Sequence, residues 1–255
     1  MGVVNVTPDS FSDGGVYYAR DAAIAHARRL AEDGADIIDI GGESTRPGSA
    51  PVSEEEERGR ILPVLEALGE LCVSVDTRRP AVMRAVLAAG ASMINDVQAL
   101  QAPGALDAVR DSQCAVCLMH MQGEPATMQR EPHYDDVVAE VKAFLRQRLA
   151  AAEAAGIARE RIVIDPGFGF GKTAAHNLTL LRRLDEFGEL GVPLLAGLSR
   201  KSTIGKITGR PAGERLAGSV AMALIAAQRG ATILRVHDVK ETRDVVAVWE
   251  AVRVA

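Results

Sequence analysis

Cysteine is scarce in this chain, positive charge is not in excess, and no long apolar run occurs. Each shortage removes a class of protein. Three cysteines, Cys72, Cys114 and Cys117, are too few and too oddly numbered for a disulfide framework. Cys114 and Cys117 match the C-x-x-C spacing of redox pairs, but they fall in an apolar run that reads as a strand. Residues three apart on a strand point to opposite faces, so the two are expected to be buried thiols. The formal net charge is −5, so no overall basic field draws the protein to nucleic acid or to an anionic membrane. No run approaches the roughly 18 apolar residues that span a bilayer. The first residues show neither the basic start nor the apolar core of a secretory signal, and a cytoplasmic protein is expected.

What is present is ordinary in bulk: 255 residues, 47% hydrophobic and 25% charged, as in globular proteins generally. No linker or low-complexity stretch interrupts the chain, so residues 1–255 are expected to form one domain. Short apolar runs alternate with stretches of helical period. The strand candidates are residues 2–6, 36–40, 72–75, 92–94, 115–119, 161–164, 193–196 and 232–236. Helices are expected over 21–32, 53–68, 80–89, 104–111, 135–155, 177–187, 214–229 and 240–252. Gly34, Gly90, Gly156 and Gly230 follow helices as C-cap residues do, and Ser53 with Glu56 has the spacing of a capping box.

Strict alternation of eight strands with eight helices implies a parallel sheet, and the strand runs read as apolar on both faces. The strand ends select the architecture. Strand one ends at Asn5, two leads into Gly41–Gly48, three ends at Asp76, four at Asn95-Asp96, five at His120 and six at Asp165. Seven leads into Ser199-Arg200-Lys201-Ser202, and eight ends at Arg235 and His237. Every strand delivers polar groups at its C-terminal end, where (β/α)₈ TIM barrels build their sites. An open doubly wound sheet would gather them at one crevice. The expected fold is a single-domain α/β TIM barrel.

Asp165-Pro-Gly-Phe-Gly-Phe-Gly-Lys172-Thr173 follows a strand and ends like a nucleotide-binding P-loop. That motif requires glycine where Pro166 stands, so an NTPase is rejected. The segment reads instead as a glycine loop lifting Asp165 and Phe170 into the barrel mouth. Asp76, Asn95, Asp165 and Lys201 form a set of acceptors and donors suited to a flat heterocycle with adjacent N–H groups beside a carbonyl. Arg46, Arg235 and His237 form a cationic set suited to phosphate or diphosphate. No nucleophile elbow surrounds Ser199, and His26, His133 and His176 read as surface groups. A hard cation held by few protein oxygens is possible, with Asn5 as its natural ligand.

The residues resemble the dihydropteroate synthase family of bacterial folate biosynthesis. The matching segments run from Asn5-Val-Thr-Pro-Asp-Ser-Phe-Ser-Asp-Gly-Gly15 through Gly41–Gly48, Val75-Asp-Thr77, Ile94-Asn-Asp96 and Cys117–Gly123. They continue with Asp165–Lys172, Ser199–Ser202 and Arg235–Thr242. The resemblance implies that 4-aminobenzoate is joined to (7,8-dihydropterin-6-yl)methyl diphosphate with release of diphosphate. It implies that Asp76, Asn95, Asp165 and Lys201 hold the pterin and that Asn5 binds Mg²⁺ shared with the diphosphate. Thr45, Arg46, Arg235 and His237 would hold phosphate oxygens. Loops bearing Phe11, Asp13, Thr45 and Pro47 would close over the aminobenzoate, with Phe170, Lys201 and Ser202 lining its pocket. Asp13 or Asp76 would stabilise a developing cation, and a homodimer is implied. In one departure, Val97-Gln98 stands where bacterial relatives often have an arginine, a change expected to alter the ordering of that loop. A methyltransferase presenting methyl-tetrahydrofolate to a corrinoid partner, or a silent pterin-binding paralogue, would share the barrel. The first needs no diphosphate site, and the second should have lost a loop or anion-site residue.

Overall fold

The computed structural model describes residues 1–6, 15–43, 52–124 and 127–255. Among them are eight strands: β1 (Gly2–Asn5), β2 (Ile38–Gly41), β3 (Val73–Asp76), β4 (Met93–Asp96), β5 (Ala115–Met119), β6 (Ile162–Asp165), β7 (Leu195–Ala196) and β8 (Ile233–Leu234). β1 to β6 pair in chain order, every pair parallel, and β7 pairs in parallel with β8. Two further parallel bridges close the circle. Ile164 of β6 pairs with Leu194, just before β7, and Gly2 of β1 pairs with Val236, just after β8. The backbone bonds at these seams are of ordinary length, with Ile164 N–H donating to Pro193 O at 3.0 Å and Val3 N–H to Val236 O at 3.1 Å. The fold is the expected (β/α)₈ barrel.

The helices among the described residues are α1 (Gly15–Glu32), α2 (Glu54–Ala67), α3 (Pro80–Ala88), α4 (Ala105–Arg110), α5 (Val137–Ala154), α6 (Ala174–Arg182), α7 (Ser202–Thr208), α8 (Leu216–Gln228) and α9 (Val239–Val254). Gly34, Gly90, Gly156 and Gly230 each have φ between 92° and 98°, the left-handed conformation that ends a helix without a Cβ clash. Ser53 caps α2 through Glu56 N–H at 3.1 Å. The Glu56 carboxylate does not return to complete a capping box but pairs with Arg60 one turn on. The sixth helix stops at Arg182 and gives way to a 3₁₀ segment, Leu184–Leu190, where a continuous helix was expected. Helix α7 was not expected at all.

Alternate strand side chains feed two cores, as the period of two requires. Val4, Ile38, Ile40, Val73, Val75, Ile94, Val116, Leu118, Ile162 and Ile164 face the helices in one continuous cluster. Met1, Met93, Cys117, Val163 and Leu195 fill the barrel floor. Above them the inward face turns polar, with Asp39, Ser74, Asn95 and Asp165 all buried. The reading of strands apolar on both faces therefore holds for the outer face and the floor only. Cys114 lies in the outer cluster and Cys117 in the inner one, both free, so the pair sits on opposite faces as expected.

Candidate functional site

The parallel register places Asn5, Gly41 and Asp76 side by side at the strand ends. Gly41 has no side chain between its neighbours. A Cβ there would lie 3.6 Å from Asp76 Cβ and 4.0 Å from Asn5 Oδ1, so its absence opens the mouth between those residues. Asn95 follows Asp76 in register on the other side. Arg235, beyond β8, reaches across the barrel. Its Nε donates to Asp39 Oδ2 at 2.7 Å, and its Nη2 lies 2.6 Å from Asp39 Oδ2 and 3.1 Å from Asp76 Oδ2. Asn95 Nδ2 makes a longer bond to Asp39 Oδ2, 3.4 Å. One buried carboxylate thus ties together the guanidinium, the amide and, through the guanidinium, Asp76.

Two carboxylates share one guanidinium here, so charge is imbalanced. Burial raises the Asp76 carboxyl to about 7, against the pull of Arg235 and with help from Asp39. Burial works against the Arg235 cation too, yet Asp39 and Asp76 hold it above its ordinary value. Three buried polar atoms, Asp39 Oδ1, Ser74 Oγ and Asn95 Oδ1, have no hydrogen-bond partner among the described residues. Orphaned acceptors in a packed interior cost about 1–3 kcal/mol each. That cost is recovered when a ligand brings N–H or O–H groups.

On the opposite wall Asp165 accepts from Gly167 N–H at 2.7 Å. Burial raises its carboxyl, while Lys201, Lys172 and Arg235 pull it back. Lys201 donates to Phe168 O and lies 4.8 Å from the centre of the Phe170 ring. Burial lowers its ammonium to about 8, opposed by Asp165. His237 and Ser199 join β8 to β7, with Nδ1 3.0 Å from Ser199 Oγ and the His237 N–H donating to the same oxygen at 3.2 Å. Ser202 is exposed at the start of α7.

Of the residues expected at the site, the barrel brings Asn5, Asp76, Asn95, Asp165, Phe170, Lys201, Arg235 and His237 to its C-terminal end. Phe11, Asp13, Thr45, Arg46 and Pro47 lie outside the described residues. The described residues on either side of the last three, Glu43 before them and Val52 and Ser53 after them, meet a common side chain. Arg79 pairs with Glu43 at 3.1 Å and Glu57, and donates to the carbonyls of Val52 and Ser53. The loop after β4, which carries Val97-Gln98, is held by bonds to its backbone. Asp96 accepts from Gln98 N–H and Leu100 N–H, both at 2.8 Å, and Arg148 of α5 donates to the carbonyls of Ala99 and Leu100.

Sequence reasoning missed two residues. Asp39 was passed over because isoleucines flank it. The signal was there: in Ile38-Asp39-Ile40-Gly41 the charge stands on the face opposite the isoleucines, where only an inward-facing polar layer can take it. Lys172 was set aside with the rejected P-loop, yet it is buried against His120 and the glycine loop.

A parallel barrel whose mouth sets buried carboxylates and an amide beside a guanidinium and an ammonium defines a binder of a hydrogen-bonding heterocycle that carries an anionic group. The family model described as pterin binding enzyme matches residues 1–237. The dihydropteroate synthase of Escherichia coli K12 is 54% identical over 254 residues, 98% of this chain and 90% of that protein. The structure of Xanthomonas albilineans dihydropteroate synthase with 4-aminobenzoic acid superposes with a TM-score of 0.95 at 60% identity, covering 100% of this chain and 93% of that one. The same enzyme in complex with 7,8-dihydropteroate gives a TM-score of 0.92 at 58% identity, with 100% and 93% covered. The chain belongs to the pterin-binding enzyme family.

Proposed function

We propose that the protein is a dihydropteroate synthase, a transferase that joins (7,8-dihydropterin-6-yl)methyl diphosphate to 4-aminobenzoate and releases diphosphate. The observation that carries this reading is the link from the anion-binding Arg235 to the ring-binding residues, directly to Asp76 and through Asp39 to Asn95. A pterin bearing a diphosphate on its methylene needs both sets at once. A pterin methyltransferase needs only the ring side.

Asp165 accepts two ring N–H donors, Asn95 and Asp76 take others, and Lys201 donates to the carbonyl or a ring nitrogen. Arg235 and His237, with Thr45 and Arg46, hold phosphate oxygens. The C–O bond to diphosphate breaks with its electron pair leaving on oxygen, where these cations stabilise the growing charge. Positive charge developing on the pterin methylene is met by the electron-rich ring and by Asp76 or Asp13. The arylamine, held beside Phe170 and Lys201 by Ser202, Phe11 and Pro47, forms the C–N bond and then gives up a proton to solvent or diphosphate. No enzyme nucleophile takes part, and positioning in a dehydrated mouth suffices.

Mg²⁺ fits this site through the side-chain oxygen of Asn5. Among the described residues no three carboxylate, imidazole or thiol groups gather into a metal cage, which suits a cation that keeps waters and borrows diphosphate oxygens. When bound, it would neutralise charge on the leaving group. No helix among the described residues is long and apolar enough to cross a membrane, and we assign the protein to the cytoplasm, where its small-molecule substrates would be met.

The test is diphosphate release from purified protein given dihydropterin-methyl diphosphate and Mg²⁺, with and without 4-aminobenzoate. Release coupled to dihydropteroate formation is the expected result. Tight pterin binding without release would overturn it in favour of a silent paralogue.

The active form is a homodimer. Leu216 and Ile225 of α8, Val248, Val252 and Val254 of α9, and Ile207 of α7 are all exposed, and apolar surface gathered on adjoining helices commonly marks an association face. Sedimentation velocity at micromolar concentration should give twice the chain mass. A monomer would remove the assignment.

A further inference from the structure

The Gly-Lys-Thr that imitated a P-loop does something else. Lys172 is 3% exposed, and its Nζ donates to Gly167 O and Phe170 O at 2.9 Å each, with His120 Nδ1 also at 2.9 Å. Burial lowers its pKa to about 7, with Asp165 opposing the fall, so below neutral pH it is an ammonium, and its three N–H donors are all used. His120 serves as an acceptor because it is neutral: burial and the neighbouring Lys172 push its pKa down to about 3. Its ring is in turn wedged edge-on against Phe144, with centroids 4.9 Å apart.

The loop that Lys172 grips makes an unusual demand. Gly167, Gly169 and Gly171 have φ of 70°, 84° and 61°, which swings successive carbonyls out of any regular ladder. Each carbonyl from 167 to 171 is met by a side chain, Gly167 O in addition to the Phe170 N–H at 3.1 Å. Lys172 takes Gly167 O and Phe170 O, Lys201 takes Phe168 O, Gln129 takes Gly169 O and Tyr134 takes Gly171 O. The loop also abuts the end of β5 so closely that a Cβ on Gly167 would fall 1.8 Å from His120 O. Lys172 supplies two of the five bonds and fastens the loop to His120.

Neutral donors such as Tyr134 and Gln129 satisfy other carbonyls of the same loop. A buried ammonium is far more expensive than either, so its charge calls for a use beyond carbonyl bonding. That use lies next to it. Facing Asp165 are Cys117 of β5, Arg235 beyond β8, Lys201 before α7, the N–H of Gly167, and Lys172 on its own loop. Facing Lys172 are His120, Asp165, Lys201 and, from α6, His176. Lys172 therefore reaches the reacting ring only through Asp165 and the loop.

We infer that Lys172 is a positioning residue of the synthase: it fixes the 166–171 loop so that Asp165 and Phe170 face the substrates, and below neutral pH it adds a positive charge to the wall that holds the Asp165 carboxylate. The inference rests on the dihydropteroate synthase reading, and the unaltered enzyme serves as the control. If that enzyme does not turn over, the functional reading fails; if it does, the comparison below judges Lys172 alone.

Asp165 is already raised by burial, and Lys172 is one of the charges that oppose the rise. Removing that charge raises the carboxyl further, so binding that needs the carboxylate is lost at a higher pH. For Lys172→Met, the KM for the pterin diphosphate should rise about tenfold or more and the acid limb of kcat/KM should move to higher pH. kcat with both substrates saturating should fall by less. Tyr134→Phe removes one donor from the same loop without touching charge, so it should lower the melting temperature but leave the acid limb in place. The inference is overturned if folded Lys172→Met keeps the limb and the KM of the unaltered enzyme, or if Tyr134→Phe moves the limb as far. Nitrogen-15 lysine NMR on protein that retains Lys172 reads the contact should Lys172→Met fail to fold. The solvent-protected ammonium signal that survives Lys201→Ala must shift when 6-hydroxymethylpterin binds, and a signal that does not move overturns the inference.

Discussion

Asp165→Ala is expected to lower kcat/KM for the pterin diphosphate by about 10²–10⁴-fold. The figure follows from two charge-assisted hydrogen bonds to the ring, worth about 1.5–3 kcal/mol each, at 1.36 kcal/mol per tenfold. The mutation also leaves Lys201 and Lys172 in a buried wall without the carboxylate that holds their charge. Both ammoniums then lose protons more readily. Lys201, already drawn down to about 8 by burial, would fall further and be a poorer donor to the ring as pH rises. Steady-state kinetics with calorimetric binding of a pterin lacking the diphosphate would check this. A loss below tenfold in both would show that Asp165 does not carry ring recognition.

Arg235→Gln should show a large effect on stability as well as on rate. The guanidinium is the cationic partner that both Asp39 and Asp76 contact, and removing one member of a buried pair typically costs about 3–5 kcal/mol. Adding Asp39→Asn removes the stranded charge, so the double variant should recover most of that stability in urea unfolding. Its kcat/KM should stay depressed by about 10³-fold, because a preorganised cation facing the leaving diphosphate contributes on that scale. The cycle separates the two roles. A double variant that regains activity along with stability would mean Arg235 serves the fold and not the diphosphate.

The barrel was legible because its evidence is repeated eight times: an apolar run, then a polar group where the run ends. Helix ends marked by Gly34, Gly90, Gly156 and Gly230 were legible because a left-handed backbone leaves little choice of residue. Helix α7 was not legible. Its seven residues include two threonines, two isoleucines and Gly205, a poor helical composition, and what holds it is tertiary. Ile204 is buried, and Arg215 packs over Gly205, where a Cβ would meet its guanidinium at 2.2 Å. The same guanidinium donates to Arg210 O and Arg200 O. The gathering of Asp76, Asn95, Asp165 and Lys201 at the barrel mouth was legible because each stands at or just beyond a strand end. Asp39 stands one layer deeper, inside the strand rather than at its end, and its only mark in the sequence is a charge alternating with Ile38 and Ile40.

The five carbonyls of the glycine loop carry a consequence for how such sequences drift. Their donors come from positions 129, 134, 172 and 201, so one inserted residue would throw several of these bonds out of phase together. Length change is thereby barred from this segment. A substitution at any one of the four leaves a carbonyl of the same loop to be met some other way, so positions separate in the chain are joined through one short stretch of backbone.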